Sequence, residues 1–182
     1  MAWRLPSEGI SITTKGRKEG TGGRVANFFV AIAFDRGVVM CKHFPPQVTG
    51  ENFAKLVTHC FPLAFQNCKK DISDGMFLQD GDPRQNSAIA RIAWEELGAK
   101  MFSIPARSPD LNPIENIFHL VRKQLAKDAI ENEIKSEGFN DFVKRVSKTI
   151  KSFPIATINS TIASMPKRLR HVVESKGGRT KY

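Results

Sequence analysis

Two stretches decide how this chain is read. They are Met76-Phe77-Leu78-Gln79-Asp80-Gly81-Asp82-Pro83-Arg84-Gln85-Asn86 and Ile104-Pro105-Ala106-Arg107-Ser108-Pro109-Asp110-Leu111-Asn112-Pro113-Ile114-Glu115-Asn116. In the first, a short apolar run ends on Asp80, and Asp-Gly and Asp-Pro dipeptides follow, so a strand gives way to a loop at a carboxylate. In the second, a proline-rich loop runs into a helix start. Asn112 suits the N-cap, Pro113 the first helical position, and Glu115 the first turn. Ile114, Ile117, Phe118, Val121 and Leu125 then form one apolar stripe.

Working outward, Val25–Phe34 and Val38–Phe44 are strand-like runs joined by Asp35-Arg36-Gly37, and together predict a hairpin. From Gly50, the spacing of Phe53, Leu56, Val57 and Cys60 predicts a helix that Pro62 ends or kinks. Met76–Asp80 reads as a short buried strand, and Ile89, Ile92, Ala93 and Leu97 as a helix stopped by Gly98. Lys100–Ile104 reads as another strand. Two further helical stretches, around Phe139–Ile150 and Ile155–Leu169, follow with Pro154 and Pro166 as punctuation. The order predicts an α/β core with a helical C-terminal extension.

The chain has 182 residues with 28 Lys+Arg against 18 Asp+Glu, a net charge of +10. Its 41% hydrophobic content is that of a globular core, which excludes a mainly disordered chain. No stretch has the ~20 apolar residues of a membrane span, and Met1-Ala2-Trp3-Arg4 does not open a signal peptide. Cys41, Cys60 and Cys68 form no C-x-x-C pair, which argues against a disulfide scaffold or a zinc knuckle. The charge is uneven: residues 1–116 carry a net +2 and residues 117–182 a net +8. A glycine-rich basic loop, Lys15 to Arg24, adds a second cluster. Both favour a polyanionic partner.

Asp80 and Glu115 are the candidate site residues. If they converge, they offer hard oxygen ligands to Mg²⁺ or Mn²⁺, the ions that serve phosphoryl transfer. Asp82 is a rival third ligand, although Asp-Pro more simply starts a turn. His119 and Arg122 follow Glu115 at i+4 and i+7 and share its helix face.

The wording around these acids closely resembles the catalytic core of Tc/mariner-type transposases, members of the DDE transposase and integrase superfamily. The resemblance implies a ribonuclease H-like mixed sheet flanked by helices. It extends over nearly the whole chain, from Ala2-Trp3-Arg4 to Lys176-Gly177-Gly178-Arg179-Thr180-Lys181-Tyr182. Asp80 and Glu115, with 34 residues between them, match the family's second and third metal ligands. The first, an Asp on the fold's first strand, has no match. Asp35 falls in a hairpin turn, and Glu51, Asp71 and Asp74 fit no better. The expectation is therefore a core lacking its first strand, with the missing Asp and the family's helix-turn-helix region belonging before Met1.

On this reading residues 1–24 are a basic loop region, 25–127 a partial catalytic core, and 128–182 a basic helical extension. The implied ancestral activity is Mg²⁺- or Mn²⁺-dependent DNA cleavage and strand transfer at transposon ends. Lys15, Arg17, Lys18, Arg24, Arg107, Arg122 and Lys123 are the expected DNA contacts. Two carboxylates alone leave room for one weakly held ion and not a productive pair, so this chain is expected to be inactive by itself. The alternatives are a non-enzymatic DNA-binding or protein-interaction module derived from a transposase, and a simple ribonuclease H-like nuclease, which the absent carboxylate disfavours equally. The resemblance also implies dimerisation and residence in the nucleus.

Overall fold

A computed structural model describes residues 25–44, 48–68, 75–80, 82–105 and 108–177. Strands β1 (Asn27–Ala33) and β2 (Gly37–Phe44) form the expected antiparallel hairpin, paired from Asn27↔Phe44 to Ala33↔Gly37 with an irregularity at Ala31/Ile32. Strands β3 (Met76–Gln79) and β4 (Lys100–Ser103) pair in parallel, Met76↔Lys100 to Gln79↔Ser103. Among the described residues no ladder joins the two pairs. Helices α1 (Gly50–Asn67) and α2 (Ala88–Leu97) precede and link β3 and β4. A 3-10 turn, Pro109–Leu111, leads into α3 (Pro113–Glu131). Helices α4 (Phe139–Lys151), α5 (Ile155–Ala163) and α6 (Met165–Glu174) complete the described chain.

The side chains of β1 explain the layering. Phe29 points into one core with Phe44, Phe53, Leu56, Val57, Phe61, Phe65 and Trp94. Its neighbours Phe28 and Val30 enter a second core with Ile117, Phe118, Val121, Val146, Ile150 and Ile158. Alternate residues of a strand face opposite sides, so helices α1 and α2 cover one face and α3, α4 and α5 the other. A strand covered on both faces reads as a continuous apolar run, as Phe28–Ala33 does. The C-terminal helices thus share a core with the hairpin. Their junction is latched as well: the Asp35 backbone N–H donates to Asn159 Oδ1 at 2.8 Å, and Asn159 Nδ2 donates back to Asp35 Oδ1 at 2.6 Å. Asp35 has φ 58°, the left-handed conformation of a turn.

Three local expectations change. First, α1 continues through Pro62 to Asn67. A proline inside a helix costs about 3 kcal/mol, yet burying Phe61 and Phe65 on either side returns about 1.5–3 kcal/mol each. Second, α2 turns a partly different face inward: Ala93 and Leu97 pack into the first core as the pattern predicts, and Ile89 and Ile92 do not. Ala90, Ala93 and Trp94 are buried, whereas Ile89 and Ile92 are 45% and 54% exposed. The small alanines let α2 approach α1, and the Trp94 ring stacks on Phe77 at 5.0 Å and meets Phe61 edge-on at 4.7 Å. Third, β3 is buried only at Gln79, and Met76 is exposed.

Helix α1 starts where α2 starts. Thr49 Oγ1 accepts from the Asn52 N–H at 3.2 Å, and Ser87 Oγ accepts from the Ala90 N–H at 3.4 Å. A Cβ on Gly50 would lie 2.4 Å from Ser87 Oγ and 2.9 Å from its Cβ, so the approach of the two N-termini requires glycine. Gly50→Ala should therefore destabilise the chain by about 1–3 kcal/mol in urea unfolding. Adding Ser87→Gly, which removes the opposing atoms, should restore part of the loss; equal stability of Gly50→Ala and wild type would show that the contact yields freely.

Candidate active site

Asp80 sits immediately after β3, and Glu115 in the first turn of α3. The parallel register carries β4 alongside β3 and ends both strands together, at Gln79 and Ser103. The chain leaving β4 turns through Pro109–Leu111 into α3, and this return brings Glu115 toward Asp80. Leu111, Asn112 and Pro113 are all buried, which pins the start of α3. Asn112 occupies the N-cap position but its side chain makes no capping bond; its carbonyl accepts from the Glu115 N–H at 3.1 Å.

The two carboxylates feel each other. Burial pushes Glu115 above the usual glutamate range, the Asp80 charge raises it further, and Arg122 partly opposes the shift. Asp80 is also raised, first by burial, while a bond from the Asp82 backbone N–H lowers it and the Asp82 charge raises it. That bond to Asp80 Oδ1 is 3.4 Å long. Glu115 Oε1 is buried and has no hydrogen-bond partner. A buried anionic oxygen without a donor is costly, and two such acids destabilise each other's charged forms. A hard divalent cation satisfies both acids, so the donor set fits Mg²⁺ or Mn²⁺, with Asp80 and Glu115 as the residues that would hold it. Among the described residues no group of three or more His, Cys, Asp or Glu side chains clusters for a metal.

Asp82 is otherwise engaged. Its Oδ1 accepts from the Arg84 backbone N–H at 2.8 Å and from Arg84 Nε at 2.9 Å, and its Oδ2 pairs with Arg84 Nη2 at 2.5 Å. Arg84 holds the Asp82 carboxyl below its ordinary range. Asp82 thus shapes the turn after Asp80.

Sequence reasoning missed the brace on that turn. Gln79 Nε2 donates to Asn86 Oδ1 at 3.3 Å, while Asn86 Nδ2 donates to the Asp82 carbonyl at 3.0 Å and the Asp80 carbonyl at 3.5 Å. Asn86 therefore ties the backbone on both sides of the loop to the end of β3. A buried Gln at a strand end, seven residues before an Asn, was the only available signal.

Of the expected DNA contacts, Lys15, Arg17, Lys18, Arg24 and Arg107 lie outside the described residues. Arg122 is half-buried on α3, and its charge reaches Glu115. Lys123 and His119 are exposed.

A raised carboxyl pKa makes the folded chain prefer the protonated acid, so each group's contribution to stability falls as pH rises through its folded pKa. Glu115→Gln should accordingly make the metal-free chain more resistant to urea at neutral pH. The gain should shrink toward zero as pH falls below the ordinary glutamate value of about 4.3. A variant less stable than wild type at pH 7.5 in the presence of chelator would contradict the electrostatic account.

Residues 13–137 match the family model described as DDE superfamily endonuclease. The transposable element Tc1 transposase of Caenorhabditis elegans is 29% identical over 121 residues, covering 66% of this chain and 41% of the relative. The Tcb1 transposase of Caenorhabditis briggsae is 28% identical over 107 residues, covering 59% of this chain and 37% of the relative. The chain thus spans about two fifths of the length of these relatives. Among solved structures, the Mos1 transposase catalytic domain with raltegravir and Mn superposes with a TM-score of 0.67 at 17% identity, over 98% of this chain and all of that one. A pre-cleavage Mos1 transpososome gives 0.71 at 18% identity, over 86% of this chain and 46% of that one. The fold is that of the Mos1 catalytic domain, and the acids stand where a strand end meets a helix start. The chain belongs to the DDE superfamily endonucleases, as a catalytic domain of the Tc1/mariner transposase type.

Proposed function

We propose that this chain is a transposase-derived catalytic domain directed at DNA phosphodiesters of transposon ends, with Asp80 and Glu115 as two ligands of a divalent cation. The observation that carries the reading is the pair itself: two desolvated carboxylates from β3 and α3, each with a raised pKa, one with an orphaned buried oxygen. Bound Mg²⁺ or Mn²⁺ supplies charge neutralisation at phosphoryl oxygens and a lowered pKa for coordinated water. Asp80 and Glu115 hold and orient; Arg122 and Lys123, further along α3, face the incoming phosphate backbone. The Mos1 transposase has been solved with Mn, with Mg and with a left transposon end, which supports metal and DNA as the partners here. Nuclear residence and dimerisation on DNA belong to the same reading.

We infer also that the 182-residue chain, acting alone, completes neither cleavage nor strand transfer. Two-ion phosphoryl transfer needs ions about 3.5–4 Å apart, and two carboxylates are too few fixed anions to hold such a pair. A second reading, a DNA-binding module without catalysis, is favoured by one observation: residues 117–182 carry a net +8 while the acids form no cluster of three among the described residues.

Purified chain should bind Mn²⁺ in a way that Asp80→Ala abolishes, read by electron paramagnetic resonance. It should leave a terminal-repeat duplex uncut. It should retain that duplex with an affinity that falls steeply with salt, and Arg122→Gln and Lys123→Gln should each reduce the log–log slope by about 1. Asp80-independent Mn²⁺ binding would overturn the ligand assignment. A nick that needs both metal and Asp80 would overturn the inactivity.

A further inference from the structure

Arg168 stands apart from the basic series to which it belongs. Lys167 and Arg170, its neighbours on α6, are exposed, but Arg168 is 2% exposed and among the largest fully buried side chains of the chain. A buried guanidinium is costly unless its donors are met. Nε donates to Ser164 Oγ at 2.8 Å, and Nη1 donates to the Asp110 carbonyl at 2.8 Å and to Asn116 Oδ1 at 3.4 Å. Ser164 Oγ in turn donates to the Thr161 carbonyl at 2.6 Å. One rigid side chain therefore spans three elements: the α5–α6 junction, the 3-10 turn Pro109–Leu111, and the first turns of α3.

The acceptors on the far side flank Glu115. Asn116 is its chain neighbour, and Asp110 lies in the turn that feeds the buried Leu111-Asn112-Pro113 segment. Glu115 Oε1 has no hydrogen bond of its own, so that oxygen is placed by the backbone that carries it. Asn112, at the N-cap, makes no side-chain cap either. The start of α3 is thus held from outside.

We propose that Arg168 is the positioning residue for Glu115, so that the C-terminal helix α6 sets where the second carboxylate of the site stands. The planar guanidinium reaches two acceptors and Ser164 at once; a lysine ammonium on a flexible stem does not reproduce that fork. This inference rests on the reading of Glu115 as a metal ligand.

The test uses the full 182-residue chain with Arg168→Lys, Arg168→Met and the milder Asn116→Ala, and Ile158→Val as a control in the second core. Amide hydrogen exchange reports the tether directly. Both Arg168 variants should lose at least about tenfold protection across residues 111–118 relative to β1 and β2, with Asn116→Ala intermediate. Their Asp80-dependent Mn²⁺ dissociation constant should rise about tenfold, the range seen for outer partners of metal ligands. Ile158→Val, in the core that also holds Ile117 and Phe118, should lower protection across that whole core without that local bias and weaken Mn²⁺ binding less than either Arg168 variant. Failure of Arg168→Lys to rescue either readout supports the fork. Protection at 111–118 that falls only in step with the rest of the chain overturns the proposal. If wild type shows no Asp80-dependent Mn²⁺ binding, the metal reading fails while exchange still decides the tether. If the Arg168 variants do not fold, Asn116→Ala decides it.

Discussion

Phe61 is the contact on which this architecture turns. It is buried on α1 and touches Phe29 of β1 at 5.7 Å, Phe77 of β3 at 4.8 Å and Trp94 of α2 at 4.7 Å. The two strand pairs share no ladder among the described residues, so hydrogen bonds do not fix one against the other. Side-chain packing on the α1–α2 layer does. Aromatic rings in edge and tilted contacts add about 0.5–1.5 kcal/mol each beyond their burial, and they constrain orientation as well as distance. Through Phe77, the ring cluster places β3, and therefore the chain position from which Asp80 projects.

The second core acts on the other carboxylate. Ile117, Phe118 and Val121 of α3 pack against Phe28 and Val30 of β1 and against Val146, Ile150 and Ile158 of the C-terminal helices. Asp80 thus depends on one core and Glu115 on the other, and the β1–β2 hairpin is the element that both cores share. The arrangement concentrates two charges that burial disfavours, an uncompensated cost for the metal-free chain. Sites for ligands are commonly places where a fold tolerates such local conflict. The Asp82–Arg84 pair and the Asn86 brace stabilise the loop between β3 and α2 without neutralising Asp80.

Much of this was legible in the residues. The hairpin, the strands ending near Asp80 and Ile104, and the helix opening at Pro113 follow from apolar runs cut by Asp-Gly, Asp-Pro and Asn-Pro. The inner face of α2 was only partly legible: Ala93 and Leu97 follow the pattern, Ala90 and Trp94 do not. Ile89 and Ile92 outrank Ala90 and Ala93 in hydrophobicity, yet the alanines go inside because close helix approach needs small side chains around Trp94. Pro62 misled for a similar reason, since a local breaker is overruled when the residues beside it are buried aromatics. Arg168 carries no mark of its burial in the sequence, because nothing in a basic series distinguishes a member that points inward.

The sequence by itself determined the element types, the two candidate carboxylates and the 34 residues between them, because strand ends and helix starts are written in local residue chemistry. Tertiary structure alone decided that the Asp80 charge reaches Glu115 and that Arg168 reaches Asp110 and Asn116. These are relations between residues up to 58 positions apart. They arise from how two cores close on the two faces of one hairpin, which no local pattern records.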